Sequence, residues 1–260
     1  MNAPAIENTV WVIGGGSGIG RATALRLAAA GRRVAISGRR ADALHETVAL
    51  AAGHDIRAYQ LDATDSEALA ATHTEIQSDL GPVGTLVLAA GTNLGAQRWW
   101  ETLDASAFRG IMDVNLTSAV DAVATTLPAM RENGGGRIFV VGSWAGWRYM
   151  SVAGVTYTAS KLGLAALVES LNDQEGRNGI RATLVVPGEV NTEILKTRPV
   201  PPSDEEIAAL IDADDIARMI QNVSDMPFHV CVNELVISGV LNGIYLRDTK
   251  YSGAVAVTPR

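Results

Sequence analysis

Cysteine is nearly missing from this chain: Cys231 is the only one in 260 residues. That excludes an intramolecular disulfide framework and any multi-cysteine zinc or iron–sulfur site, and it fits a reducing compartment. Basic residues are outnumbered, 21 against 28 acidic, giving a formal net charge of −7. Such a balance argues against general affinity for DNA, RNA or anionic lipid. No apolar run approaches the roughly 18 residues of a membrane span. The start, Met1-Asn2-Ala3-Pro4-Ala5, has no basic stretch leading into an apolar one, so no secretory signal is expected. The four histidines, His45, His54, His73 and His229, have no ligand-like spacing and read as solvated surface residues, so no metal is expected. These absences together predict a cytoplasmic protein without nucleic-acid or membrane partners.

What is plentiful describes an ordinary globular chain: 47% hydrophobic residues, 19% charged, and 26 glycines. Disordered, collagenous and coiled-coil classes are excluded. Short apolar runs rich in β-branched residues alternate with longer Ala/Leu-rich stretches of helical spacing. Strands are expected at 9–13, 33–37, 56–61, 85–89, 137–141, 180–186 and 233–238, and helices at 19–30, 41–52, 65–80, 104–132, 155–175 and 204–222. Strands that are nearly all apolar, interleaved with helices, belong to a parallel sheet covered on both faces. The expectation is an α/β, doubly wound, seven-stranded parallel sheet in one domain over 1–260, with 240–260 as a C-terminal extension. Ligands bind such sheets beyond the carboxyl ends of the strands. The irregular segments 92–103, 143–154 and 191–203 all follow strands and are the natural walls of a site.

Gly14-Gly15-Gly16-Ser17-Gly18-Ile19-Gly20 follows the first strand and opens the first helix. Glycines there allow a tight turn and close backbone approach to a diphosphate, and the helix N-terminus presents free N–H groups to an anion. The spacing is Gly14-x-x-x-Gly18-x-Gly20 rather than the commoner G-x-G-x-x-G, and a plain turn is the alternative. At the end of the second strand an acid would bind ribose hydroxyls and repel a 2′-phosphate. Here stand Ser37-Gly38-Arg39-Arg40, and a guanidinium suits a phosphate. The alternative is that both arginines solvate a helix start.

Tyr157 and Lys161 stand at i and i+4, on one helix face. An ammonium beside a phenol favours the phenolate, so the phenol is expected to ionise below its ordinary value near 10 and to exchange protons with a carbonyl or alcohol. Most such pairs are surface contacts, but Ser143 lies where a substrate oxygen could be held beside Tyr157. No further acid–base group is evident around them.

In order and approximate spacing, the glycine loop, Asp62, Ala90-Gly91, Asn115, Ser143, Tyr157, Lys161 and Pro187-Gly188 resemble the short-chain dehydrogenase/reductase family over roughly residues 9–239. The resemblance implies a Rossmann-like fold and hydride exchange between a nicotinamide cofactor and an alcohol or carbonyl. It makes Tyr157 the general acid/base, Lys161 its electrostatic partner and a ribose contact, Ser143 the orienting hydroxyl, and Asn115 the holder of a relay water. The cofactor would be bound by Gly14, Ser17, Gly18, Ile19, Gly20, Arg39, Asp62, Ala90, Gly91, Pro187, Gly188, Val190 and Thr192. Asp62 resembles the adenine-edge acceptor, and the segment 187–192 the one that contacts the carboxamide. An arginine at position 39 goes with NADP(H). An epimerase or dehydratase on the same fold, or a non-catalytic dinucleotide-binding regulator, are the alternatives.

Three positions depart from the family pattern. Ile13 replaces a threonine, Leu88-Ala89 replace two asparagines, and Gly142 replaces a serine. The first two read as a paired change, because removing both partners of a hydrogen bond is nearly neutral. Trp99, Trp100, Trp144, Trp147 and Tyr149 fall in the expected walls, pointing to an apolar or ring-bearing substrate or to an interface. Leu162, Ala165, Ala166 and Glu169, with Ala119, Ala122, Val123 and Thr126, form small-residue helix faces that suggest a homo-oligomer, a dimer or more favourably a tetramer.

Overall fold

Five successive residues, Thr9–Ile13, form β1, and all five are buried. A strand enclosed on both faces needs helices on both sides, and the computed structural model supplies them. It describes residues 9–93, 98–193, 195, 207 and 210–240. The expected extension after 240 lies outside these residues, as does the N-terminal segment.

In chain order, α1 (Gly18–Ala29), β2 (Arg33–Gly38), α2 (Ala41–Leu50), β3 (Ile56–Gln60), α3 (Ser66–Leu80) and β4 (Val83–Leu88) make the first half. The second half is α4 (Ala105–Met112), α5 (Ser118–Glu132), β5 (Gly136–Val141), α6 (Trp144–Trp147), α7 (Val155–Glu175), β6 (Ile180–Pro187), β7 (Val190–Asn191), β8 (Ile211–Asp212), α8 (Ala213–Ser224) and β9 (Glu234–Ile237). The main sheet is parallel throughout, in the order β3-β2-β1-β4-β5-β6-β9. This is the α/β Rossmann-like fold with seven parallel strands that the alternating pattern predicts. One core layer joins the sheet to α3, α5 and α7, through Leu69, Ile76, Val123, Met130, Leu164 and Val168. The other joins it to α1, α2 and α8, through Leu27, Leu44, Ile216 and Ile220. Helices start where side chains satisfy their free N–H groups: Asp65 accepts from Ala68 N at 3.0 Å, and Asp104 from Ser106 N at 2.8 Å and Ala107 N at 2.9 Å.

Four expectations need correction. The single helix over 104–132 is interrupted by a π-helical turn at Asp113–Thr117, one residue looser than its neighbours. The last helix starts at Ala213, capped by Asp212 and Asp215, and the short β7–β8 pair precedes it; positions 204–206 and 208–209 lie outside the described residues. His73 is not a surface residue: it is 6% exposed and stacks on Trp11 with ring centroids 5.8 Å apart. Ala119, Ala122, Val123 and Thr126 are buried against the chain's own sheet rather than offered to a partner. The outward faces of α5 and α7 carry Val120, Leu162 and Ala166 instead.

The departures at Ile13 and Leu88 are explained by register. The two residues are partners across β1 and β4, and both are buried. At Gly142 a Cβ would lie 3.0 Å from Leu184 Cδ1 and 3.3 Å from Val185 O, so a side chain there needs the Leu184 side chain to give way by a few tenths of an ångström.

Candidate active site

The strand order reverses between β1 and β4, and the crevice beyond their carboxyl ends is where an open α/β sheet receives a ligand. The glycine loop closes the end of β1, with Gly14 N and Gly15 N donating to Ser37 O at 2.7 and 3.1 Å. Gly14 has a φ of +94°, and a Cβ on it would sit 2.5 Å from Ala90 N. Gly20 admits no side chain either, because its Cβ would lie 2.1 Å from Gly14 O. Ser17 is the N-cap of α1 but makes no capping bond, and the first turn carries no acid. The amides there are thus aimed at the crevice, in an arrangement that suits an anion.

A cavity of about 300 Å³ runs from this loop across the sheet. Gly14, Ser17, Gly18 and Ile19 form one end, with Ala90 and Gly91 beside them. Ser143, Tyr157 and Lys161 line the middle, and Pro187, Gly188, Val190 and Thr192 the facing wall. Thr192 comes close enough to Gly18 that a Cβ on the glycine would lie 3.2 Å from Thr192 Cγ2. A second, adjoining pocket shares Gly14, Ser17, Ala90 and Gly91, and adds Arg39, Arg40, Asp62 and Thr64. Asp62 accepts from Thr64 N at 3.1 Å and Thr64 Oγ1 at 2.8 Å. These bonds, with the nearby Arg39 charge, hold its carboxyl below the usual range. Gly20 and Asn115 lie behind the walls rather than on them.

The reactive trio comes from two elements. Ser143 ends the β5 segment and caps the four-residue α6, accepting from Ala145 N at 3.1 Å. It lies near enough to Tyr157 to favour the phenolate. Tyr157 and Lys161 stand on α7, with Lys161 Nζ 5.9 Å from the phenol ring centroid. The amine is 5% exposed and donates to Val141 O at 2.9 Å. Burial pushes it down from 10.5 to about 8. Burial also pushes the Tyr157 phenol up, and the nearby Ser143 hydroxyl pulls it back only in part. That direction is opposite to the expectation from Lys161, because desolvation of the phenolate outweighs the other influences here.

Asn115 works behind the cavity. Its Oδ1 accepts from Thr92 N at 2.7 Å, and its Nδ2 donates to Thr92 O at 2.9 Å and Ser160 Oγ at 3.0 Å. Ser160 in turn donates to Tyr157 O at 2.8 Å. The π-helical turn carries Asn115, so the looser turn, the loop after β4 and the first turns of α7 are tied together. Gly91 fits into this junction, where a Cβ would lie 3.3 Å from Lys161 Nζ and 3.5 Å from Asn115 Oδ1.

The expected wall segments 92–103, 143–154 and 191–203, with Glu189 from 187–192, contribute residues that the sequence reading did not assign a role. Asn93, Arg98, Met150, Glu189, Glu193 and Leu195 line the cavity. The two glutamates correct the expectation of a site without further acid–base groups. Of the aromatic residues, Trp144 lines the cavity and is 3% exposed, whereas Trp99, Trp100 and Tyr149 are exposed on the surrounding loops. Among the described residues no group of three His, Cys, Asp or Glu side chains could hold a metal, and no helix is long and apolar enough to cross a membrane.

A crevice at the strand-order reversal, floored by glycine backbone and lined by Ser143, Tyr157 and the buried Lys161 amine, is the architecture of a Rossmann-like nucleotide-binding fold. A family model for short chain dehydrogenases matches residues 8–201, and the chain belongs to that family of oxidoreductases. Glycine betaine reductase ATRR of Emericella nidulans is 31% identical over 244 residues, which cover 87% of this chain but only 18% of that protein. An oxidoreductase of Myxococcus xanthus is 35% identical over 199 residues, covering 74% of this chain and 76% of the relative. Among solved structures, the closed form of serine dehydrogenase complexed with NADP+ superposes with a TM-score of 0.81 at 25% identity, covering 90% of this chain and 95% of that one.

Proposed function

We propose that this chain transfers hydride between NADP(H) and an alcohol or carbonyl substrate, with Tyr157 as general acid/base. The observation that carries the reading is that Ser143, Tyr157 and the buried Lys161 amine line the same cavity as the glycine loop. The residues present fit a dinucleotide. The uncapped first turn of α1 and the side-chain-free approach at Gly14 suit a diphosphate, Arg39 a 2′-phosphate, and Asp62 an adenine edge. Lys161 would hold the nicotinamide ribose, and Pro187, Gly188, Val190 and Thr192 would face the carboxamide. The NADP+ in the serine dehydrogenase structure supports the phosphate assignment.

When bound, the nicotinamide supplies or accepts the hydride. Ser143 donates to the substrate oxygen and holds it beside Tyr157. In reduction, Tyr157 Oη gives its proton to that oxygen as negative charge develops on it. A phenol raised by burial is protonated at neutral pH and ready for this direction. The Lys161 charge then stabilises the phenolate left behind, and Asn115, through Thr92 and Ser160, keeps the start of α7 in place behind it. In oxidation the same residues act in reverse.

The test is Tyr157→Phe, which keeps the ring and removes only the titrating hydroxyl. Turnover should fall by about 10²–10⁴, with NADP(H) binding unchanged in a fluorescence titration. Activity within about tenfold of wild type would contradict the role. Glu189 and Glu193 favour one second reading, an epimerase or dehydratase with extra acid–base groups. It would convert substrate without net change in nicotinamide absorbance. We also place the protein in the cytoplasm, where the exposed thiol of Cys231 stays reduced, and assign it a homo-oligomeric state built on α5 and α7.

A further inference from the structure

Arg98, in the loop that follows β4, is only 5% exposed. A guanidinium taken out of water is unfavourable unless hydrogen bonds compensate it, so its surroundings identify what it serves. Nη1 donates to Val152 O in a short bond across a sequence separation of 54 residues. Asn93 Nδ2 donates to the next carbonyl, Ala153 O, at 3.2 Å. The next residue, Gly154, has a φ of +83° and lies flat against the Arg98 main chain. A Cβ on it would sit 2.6 Å from Arg98 Cα and 2.9 Å from Arg98 O. Three consecutive residues, 152–154, are therefore held by the same short loop.

Those three residues lead directly into α7. Gly154 is its N-cap, and the bond from Thr158 N to Gly154 O belongs to the turn that contains Tyr157. The body of α7 is fixed by the core through Leu164, Val168 and Leu171. Its first turn lies outside that layer. Ser143 reaches the phenol from a separate element, the end of β5. Alignment of the two hydroxyls thus depends on what fixes the start of α7.

We infer that Arg98 is a positioning residue, pinning the N-terminus of α7 so that the Tyr157 hydroxyl stays in register with Ser143; the inference rests on the function proposed above. Arginine suits the task because its planar fork binds main-chain carbonyls in a fixed geometry. A lysine would offer only a point charge on a flexible stem.

The test uses the full chain carrying Arg98→Met or Arg98→Lys, with Asn93→Asp as an independent variant that removes the donor to Ala153 O. Amide hydrogen exchange at 152–158 should quicken at least tenfold in Arg98→Met, with the sheet strands unchanged. At saturating NADPH and carbonyl, kcat should fall tenfold or more, while the NADPH Kd and thermal midpoint hold and Arg98→Lys recovers part of the rate. Unchanged exchange overturns the inference, whether or not the wild type turns over any carbonyl. A rise in KM at constant kcat overturns it in favour of direct substrate contact. A fall in thermal midpoint matching the loss of rate overturns it in favour of a general structural role. If Arg98→Met does not fold, the Arg98→Lys and Asn93→Asp exchange patterns decide by the same criteria.

Discussion

Lys161 should make the empty protein less stable at neutral pH than its shape alone would allow. In the unfolded chain its amine ionises near 10.5, and in the fold near 8. Between those values the unfolded chain keeps the proton while the fold releases it, so stability rises with pH across the window. The penalty is fully present below 8. A fall from 10.5 to about 8, at about 1.4 kcal/mol per decade, makes the buried charge cost about 3 kcal/mol at pH 7. Lys161→Met removes that charge together with the bond to Val141 O. The lost bond, worth about 1.5–3 kcal/mol, offsets most of the relief at pH 7, so the absolute change is small. The pH dependence decides. From pH 7 to pH 10 the stability of the variant relative to wild type should decline by about 2.5 kcal/mol, because only wild type gains as its amine discharges. Urea unfolding followed by circular dichroism at pH 7, 8, 9 and 10, without cofactor, measures the difference and cancels every other titrating group. Parallel profiles, within the roughly 10–15% error of the extrapolation, would refute the reasoning. Diverging profiles would mean that a charged side chain is kept in the proposed site at a cost in stability.

Arg39→Ala should weaken NADP(H) binding by roughly 10- to 150-fold, the equivalent of losing one charge-assisted bond of about 1.5–3 kcal/mol, and leave NAD(H) binding unaltered; equal losses for both cofactors in a titration would remove Arg39 from the 2′-phosphate. His73 is kept neutral by burial, below its ordinary value of 6.5. Below that pH the unfolded chain takes up the proton first, so stability declines as the solution is acidified. His73→Phe, which keeps a ring on Trp11, should lose less stability than wild type between pH 7 and 5 in urea unfolding, and equal losses would count against it. Light scattering at micromolar concentration should give a dimer or tetramer mass; a monomer mass would mean that the outward faces of α5 and α7 are solvated.

Much of this was readable before any coordinates. An apolar β-branched run such as Thr9–Ile13 reads as a buried strand, and a Gly-rich turn between strand and helix marks where the backbone must pack closely. An i, i+4 phenol and amine are on one face by geometry alone. What escaped depends on tertiary partners. The π-helical turn inserts a residue into a stretch whose periodicity differs little from that of one long helix. His73 is polar by composition and buried because Trp11 lies beneath it. Ala122 is a small apolar residue either way, and only the sheet decides that it faces inward. Arg98 stands in a loop without periodicity, so nothing in its neighbours foretells that its partners lie 54 residues away. The Tyr157 phenol shows the same limit in energetic form. Its charged neighbour is visible in the sequence, and the desolvation that outweighs it is not.

The β7–β8 pair aligns Val190 with Ile211 and Asn191 with Asp212, bringing two segments some twenty residues apart in the chain side by side. Just beyond this pair, Thr192 and Leu195 reach the cavity wall. Asp212 is at once the β8 partner of Asn191 and the N-cap of α8, so the wall that Val190 and Thr192 form is clipped to the start of a helix on the far side of the crevice, and a change that shifts α8 is passed directly to that wall.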